Sequence, residues 1–389
     1  MKDISVGQSE SIGRKNGGMT FAERLIYFAL FLLNKYVGSL TTEGWLSTFE
    51  RKIIRQCVSG SEILPTPIPA VRAVHLTDAA FLRLSDNYRR PVLIKGLMRD
   101  SLAVKKWDIR YLRDVIGGFE INTVRFGSMF KLETMAFREF IDRIEENRYI
   151  NNNHTILANF PHLFEDFRRE FEGFMNTLGS CNLINIHIAN LFIGYNGSEK
   201  RCTGSNMHCG GSGNFFFMIR GRKHWILIDP KYSCILKGRV ARSGIHGQTL
   251  FDMPDTPLSD TPRMLRCLPR YEIILEPGDV LYNPPWWWHR IRNDNGFSIG
   301  MAIRNNKVTR LNLLNNLTYT LSGYKYLKYN SLVIGLYERT LGHGDHFGSS
   351  RQKSRTEGAK QGDVLYQAEQ LVKQYPTSVR IEDILGNER

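Results

Sequence analysis

The 389-residue chain has six cysteines, Cys57, Cys181, Cys202, Cys209, Cys234 and Cys267, and no CxxC pair among them. That spacing excludes a zinc ribbon and a dense disulfide scaffold, and it fits a reducing compartment, cytoplasmic or nuclear. No block of five or six consecutive Lys or Arg occurs, so no basic binding arm is present. No internal repeat occurs, which excludes solenoids and propellers. The apolar run Leu25–Leu33 falls short of the ~20 residues that a spanning helix needs. One further absence bears on chemistry: there is no acidic residue from Lys200 to Ile228.

What is present is ordinary globular material, 42% hydrophobic and 11% aromatic, enough to bury a substantial core. The net charge is +14, from 52 basic and 38 acidic residues. Such an excess favours an anionic partner such as nucleic acid, an acidic protein segment or anionic lipid, and a merely solvated basic surface explains it equally well.

The pattern divides the chain. Residues 1–18 are polar and rich in Gly and Ser, and are expected to be a disordered tail. Residues 19–69 read as a helical segment and a linker. Within it, residues 20–36 form a helix that is buried or lies on a membrane surface, and Trp45, Phe49, Ile53 and Ile54 continue a helical period. Arg14, Lys15 and Arg24 before the apolar run and Val37-Gly38-Ser39 after it also outline a signal or anchor. Ser61–Pro69, with three prolines, is the linker. Residues 70–305 form one domain, with a buried strand over Pro91–Leu97, a helix opening at Trp107-Asp108 and an amphipathic helix over Met135–Ile144. From about 183 to 305 short strands separated by turns predict an antiparallel barrel: Ile184–Ile193, Asn214–Ile219, Lys223–Ile228, Tyr271–Leu275, Asp279–Tyr282 and Phe297–Ile303. Residues 306–389 read as a helical extension, helical over 306–340, flexible over 343–363 and helical again over 364–374.

Two histidines stand in strand contexts. His208 lies in Ser205-Asn206-Met207-His208-Cys209-Gly210, and His289 ends the run Pro277-Gly278-Asp279…Pro284-Pro285-Trp286-Trp287-Trp288-His289. Two imidazoles and a carboxylate make the facial triad of non-haem Fe(II) oxygenases. Strand residues i and i+2 share a face, so residue 210 points with His208, while Cys209 turns away into the core. The prolines place a turn before His289. Trp286, Trp287 and Trp288 read as packing and rim residues, and His224 and His246 as structural or surface histidines.

From about Pro91 to Arg304 the chain resembles the cupin-like JmjC oxygenases, a family that uses Fe(II), 2-oxoglutarate and O₂. The strand Pro91–Leu97, Trp107-Asp108-x-x-Tyr111-Leu112 and Phe137-Arg138-Glu139-Phe140 carry part of the likeness. The spacing His208-x₅-Asn214-x₈-Lys223 and the Pro-Gly-Asp…Pro-Pro…Trp-His run carry the rest. The resemblance implies a double-stranded β-helix, or jelly roll, mainly β with flanking helices. It implies His208 and His289 as metal ligands, and Ser205, Asn214 and Lys223 around 2-oxoglutarate. It also implies a homodimer, because helices after the barrel form dimer contacts in relatives. The substrate class stays open among protein side chains, nucleic acids and small molecules.

One position departs from the family's His-x-Asp/Glu pattern: Gly210 stands where the acid belongs. Three consequences compete. The metal is held by two histidines, the co-substrate and water, giving a hydroxylase. Chloride fills the place at Gly210, giving a halogenase. Or the site is inactive and the barrel serves as a scaffold for an acidic partner. The retained Ser205, Asn214 and Lys223 favour an oxidative site.

Overall fold

The computed structural model describes residues 18–125, 131–178, 189–197, 202–241, 246–253, 257–294, 296–305, 316–322, 374 and 378–386. The expected tail over 1–17, the loop over 343–363, most of the helix over 306–340 and nearly all of that over 364–374 lie outside the described residues, as do residues 184–188 of the first expected barrel strand.

Among the described residues fifteen strands build two sheets. They are β1 (Ala70–Arg72), β2 (Val92–Lys95), β3 (Glu120–Arg125), β4 (Lys131–Ala136), β5 (Arg148–Asn153), β6 (Ala189–Asn196), β7 (Gly204–Gly210), β8 (Gly213–Arg220), β9 (Lys223–Ile228), β10 (Gly238–Val240), β11 (His246–Thr249), β12 (Tyr271–Leu275), β13 (Val280–Asn283), β14 (Trp288–Asn293) and β15 (Gly296–Asn305). The large sheet runs β1-β2-β13-β8-β15-β6-β5-β3-β4, and the small one β10-β11-β7-β14-β9-β12. All pairs are antiparallel except β1 with β2. The strands β7, β8 and β9, and again β13, β14 and β15, alternate between the two sheets. That alternation is the wiring of a jelly roll, and it stacks the small sheet on the large one. The large sheet also draws on β1 to β5, upstream of residue 183.

The sequence explains why these strands sit inside. In β8 every residue from Asn214 to Ile219 is buried. Phe216 and Met218 point into the sandwich with Trp225 and Leu227 of β9. Phe215, Phe217 and Ile219 point the other way, into an aromatic core that includes Trp107, Phe137, Phe140 and Phe174. A strand covered on both faces reads as a continuous apolar run. The expected helix over 135–144 is shorter, Phe137–Asp142, because Lys131–Ala136 pairs as an edge strand with β3.

The N-terminal region forms two helices, α1 (Phe21–Val37) and α2 (Leu40–Cys57). Thr20 and Glu23 cap the start of α1 reciprocally, Gly38 ends it at φ 64°, and Ser39 caps α2. Their inner faces, with Tyr27, Phe31, Leu46, Ile53 and Ile54, cover the outer face of the small sheet, where Ile226, Ile228 and Trp288 lie. The two ends of the chain meet there, since Ile381 and Ile384 join the same cluster. Buried Arg239 of β10 ion-pairs with Glu43 and Glu50 of α2. Phe21, Leu25, Ile26, Tyr36 and Val37 remain exposed on α1. Among the described residues no helix is long and apolar enough to cross a membrane.

Candidate active site

His208 on β7 and His289 on β14 are cross-strand partners, and their ring centres lie 4.1 Å apart. Each ring is fixed in the same way. His208 Nδ1 lies 2.7 Å from the Asn206 carbonyl, and His289 Nδ1 lies 2.9 Å from the Trp287 carbonyl. An Nδ1–H donated to a carbonyl leaves Nε2 as the basic nitrogen, the arrangement in which histidine binds a metal. Asn283 lies 3.1 Å from the same Nδ1 of His289, and Trp225 stacks on that ring with centres 5.7 Å apart. Burial keeps both imidazoles neutral, His208 pulled down to about 4 and His289 well below the usual histidine value.

Ser205 is three residues from His208, an odd offset that simple alternation sends to the opposite face. A β-bulge corrects this. His289 pairs with His208 and Ile291 with Ser205, so two residues on β14 match three on β7. The bulge turns Ser205 to the face of His208. The Asn206 side chain and the Met207 amide go instead to Asp252, which is buried against Arg290.

Lys223 points inward with Trp225, and both are fully buried. Arg220 and Arg222 form the exposed hairpin turn before it, around Gly221 at φ 69°. The Lys223 ammonium donates to Asn293 Oδ1 and, at 3.4 Å, to Ser298 Oγ. It lies 5.4 Å from the Tyr149 ring centre and 6.0 Å from that of Phe216. Burial pushes its pKa down to about 7. Gly300 gives its stem room, since a Cβ there would lie 2.2 Å from Phe216 and 3.1 Å from Lys223 Cε.

Asn214 on β8 is the register partner of both Asn283 and Arg304, which sets the three in a row on the inner face. The Oδ1 atoms of Asn214 and Asn283 are buried without a hydrogen-bond partner. Arg304 donates to Asn152 Oδ1 at 3.0 Å, and its charge depresses His208, His246 and His289 alike. Burial lowers Arg304 itself to about 10. Among the described residues no ion pair engages Lys223 or Arg304.

Every residue expected at the site is therefore on the inner face. Gly210 adds only backbone, and among the described residues no group of three His, Cys, Asp or Glu side chains could hold a metal ion. Cys209 is buried in the opposite core, as expected. The three tryptophans are more buried than rim residues would be, at 1%, 5% and 0% exposure. Their indole N–H groups donate to Thr320, to the Arg89 carbonyl and to Ser233. His224 is structural, pairing with Glu272 at 2.9 Å. His246 is no surface residue: it is buried, with its ring centre 5.4 Å from that of His208.

Tyr149, Asn293, Ser298, Asn283 and Arg304 also belong to this face and escaped the sequence reading. Alternation from His289 reaches Asn293, and alternation along Phe297–Ile303 reaches Arg304. Tyr149 lies on a strand distant in sequence and carries no such signal.

A cupin-like domain model matches residues 79–303. The chain belongs to the cupin-like, JmjC-containing family. JmjC domain-containing protein A of Dictyostelium discoideum is 28% identical over 213 residues, covering 50% of this chain and 79% of the relative. Lysine-specific demethylase 8 of Xenopus tropicalis is 27% identical over 227 residues, 55% of this chain and 48% of the relative. The human 2-oxoglutarate and iron-dependent oxygenase JMJD4 is 32% identical over 100 residues, 25% of this chain and 22% of the relative. This cupin-like chain thus spans about half or less of the latter two relatives.

Proposed function

We propose that the chain is an Fe(II)- and 2-oxoglutarate-dependent oxygenase that hydroxylates a C–H bond of its substrate. The observation that carries this reading is electrostatic. The inner face buries Lys223 and carries the half-buried Arg304 beside two neutral imidazoles, and no described carboxylate pairs with either cation. Buried charge without a counter-charge is costly, so such a face is built to receive an anion. A dicarboxylate supplies two negative charges. Lys223 would hold its distal end, with Ser298 and Asn293 beside it, and Ser205 and Asn214 would flank it. His208 and His289 would offer Nε2 to the metal. When bound, the iron supplies O₂ activation coupled to decarboxylation of the co-substrate, yielding succinate and CO₂. Trp225, Phe216 and Met218 line the face and keep water from the reacting groups.

The relatives' names include a demethylase and an oxygenase, and the net charge of +14 supports an anionic substrate or partner for this chain. The test is anaerobic titration with Fe(II) and then 2-oxoglutarate, following the visible charge-transfer band of the ternary complex. A band lost in Lys223→Ala and in His289→Ala supports the reading. No band and no bound Fe(II) would leave a non-catalytic binding module.

A further inference from the structure

We propose that the outward side of α1 and α2 docks on the surface of an anionic lipid bilayer, whatever chemistry the inner face performs. α1 is apolar on both sides. Tyr27 and Phe31 face the small sheet, whereas Phe21, Leu25, Ile26, Leu33, Tyr36 and Val37 are exposed, between 40% and 78%. At 3.6 residues per turn these six fall within an arc of about 160°, shared only with Ala22, Ala29 and Leu32. A strip without charge therefore runs along the roughly 25 Å of the helix. Single exposed apolar side chains are ordinary on a folded protein, but a continuous strip of them marks a binding surface. With Leu40 and Trp45, the two helices carry eight of the fourteen large apolar side chains that are exposed among the described residues. Leu321 continues the strip, since its carbonyl accepts from Tyr36 Oη at 3.5 Å.

The charges select the partner. On the two helices every exposed ionic side chain is basic: Arg24, Arg51, Lys52 and Arg55. The acids are engaged elsewhere. Glu43 and Glu50 pair with Arg239, and Glu23 accepts from the Thr20 amide in the cap of α1. The net charge of +14 acts in the same direction. An apolar helix face with Phe21 at one end and Tyr36 at the other, bordered by basic residues, is the pattern of a helix lying in the headgroup region. α1 would lie on the bilayer without crossing it. Among the described residues no helix is long and apolar enough to span. Tyr27 and Phe31 are also held in the cluster that closes the small sheet, and withdrawing them would uncover Ile226, Ile228 and Trp288.

Sedimentation of the 389-residue chain with vesicles tests this, using phosphatidylcholine alone and phosphatidylcholine with roughly one fifth phosphatidylserine. Binding is expected to the mixed vesicles, to weaken as salt is raised, and to be far weaker on the neutral ones. Arg51→Gln with Lys52→Gln should weaken binding to the mixed vesicles by roughly 5-fold for each charge and leave the neutral vesicles unaffected. Leu25→Ser with Leu33→Ser should weaken binding to both by at least about 10-fold. All four side chains are exposed, so thermal denaturation of both variants should match that of the wild type. Sedimentation with neither vesicle would overturn the proposal, and so would equal binding to the two compositions. Light scattering settles the rival occupant. A doubled mass that Leu25→Ser with Leu33→Ser abolishes, in a protein that ignores vesicles, would give the face to a second copy of the chain.

Discussion

The two ends of the inner face differ in how closely they follow the family's pattern of residues. At the proposed co-substrate end, Lys223, Ser205 and Asn214 stand at the spacing of the family and are joined by Tyr149, Asn293 and Ser298. At the proposed metal end Gly210 replaces the acid of the family pattern. A dicarboxylate needs a buried cation at a fixed distance, which one strand position must provide. A metal needs only donors around a point, and these can come from any strand that passes it. The difference teaches that the charged clamp is kept whole on a face whose ligand set is one side chain short of the family pattern.

The largest separation of the two ends is expected from Lys223→Ala. It should weaken 2-oxoglutarate binding by about 100-fold, the ~2.7 kcal/mol range of a charged hydrogen-bonded contact, and leave Co(II) binding in the absence of co-substrate unchanged. Calorimetry with each ligand separately checks this, and a parallel loss of Co(II) would mean that the ends are one unit.

The pH dependence sharpens the contrast. The Lys223 pKa is lowered from 10.5 to about 7, so the unfolded chain keeps a proton that the folded chain releases between those values. Stability of the unliganded fold therefore rises with pH through that window, as thermal denaturation against pH would show. Binding an anion requires the ammonium form, so 2-oxoglutarate affinity should fall ~10-fold for each pH unit above 7. A flat profile would place the co-substrate away from Lys223. The smallest effect should come from Arg304→Gln, and it should have opposite signs at the two ends. Co(II) binds a few-fold more tightly once a nearby positive charge is gone, and 2-oxoglutarate binds a few-fold more weakly.

Much of this was legible in the sequence because burial on both faces leaves continuous apolar strands such as Phe215–Ile219. The His208 and His289 motifs and the Lys223 spacing survive in one dimension. Ser205 shows what does not. Its placement depends on a bulge, which a period-two reading cannot generate. His246 shows a second limit. The strand His246-Gly247-Gln248-Thr249 has no apolar alternation, and its place beside His208 comes only from the strand it pairs with. Arg239 carries no local signal of its burial, because its two glutamate partners lie nearly 200 positions earlier.

That last contact has a consequence for the order of synthesis. The outer wall of the small sheet is sealed by α1 and α2, made before the strands they cover, and by Ile381 and Ile384, made after them. Val379 also donates its amide to the Leu250 carbonyl, at the end of the β11 strand that carries His246. On the ribosome the two helices must wait, apolar faces uncovered, until the strands that receive them have emerged. A nascent chain halted after β15 would hold His208 and His289 yet lack the last panel of the wall behind them. Synthesis of the segment that carries Ile381 and Ile384, more than the making of either histidine strand, is the moment at which this wall becomes complete.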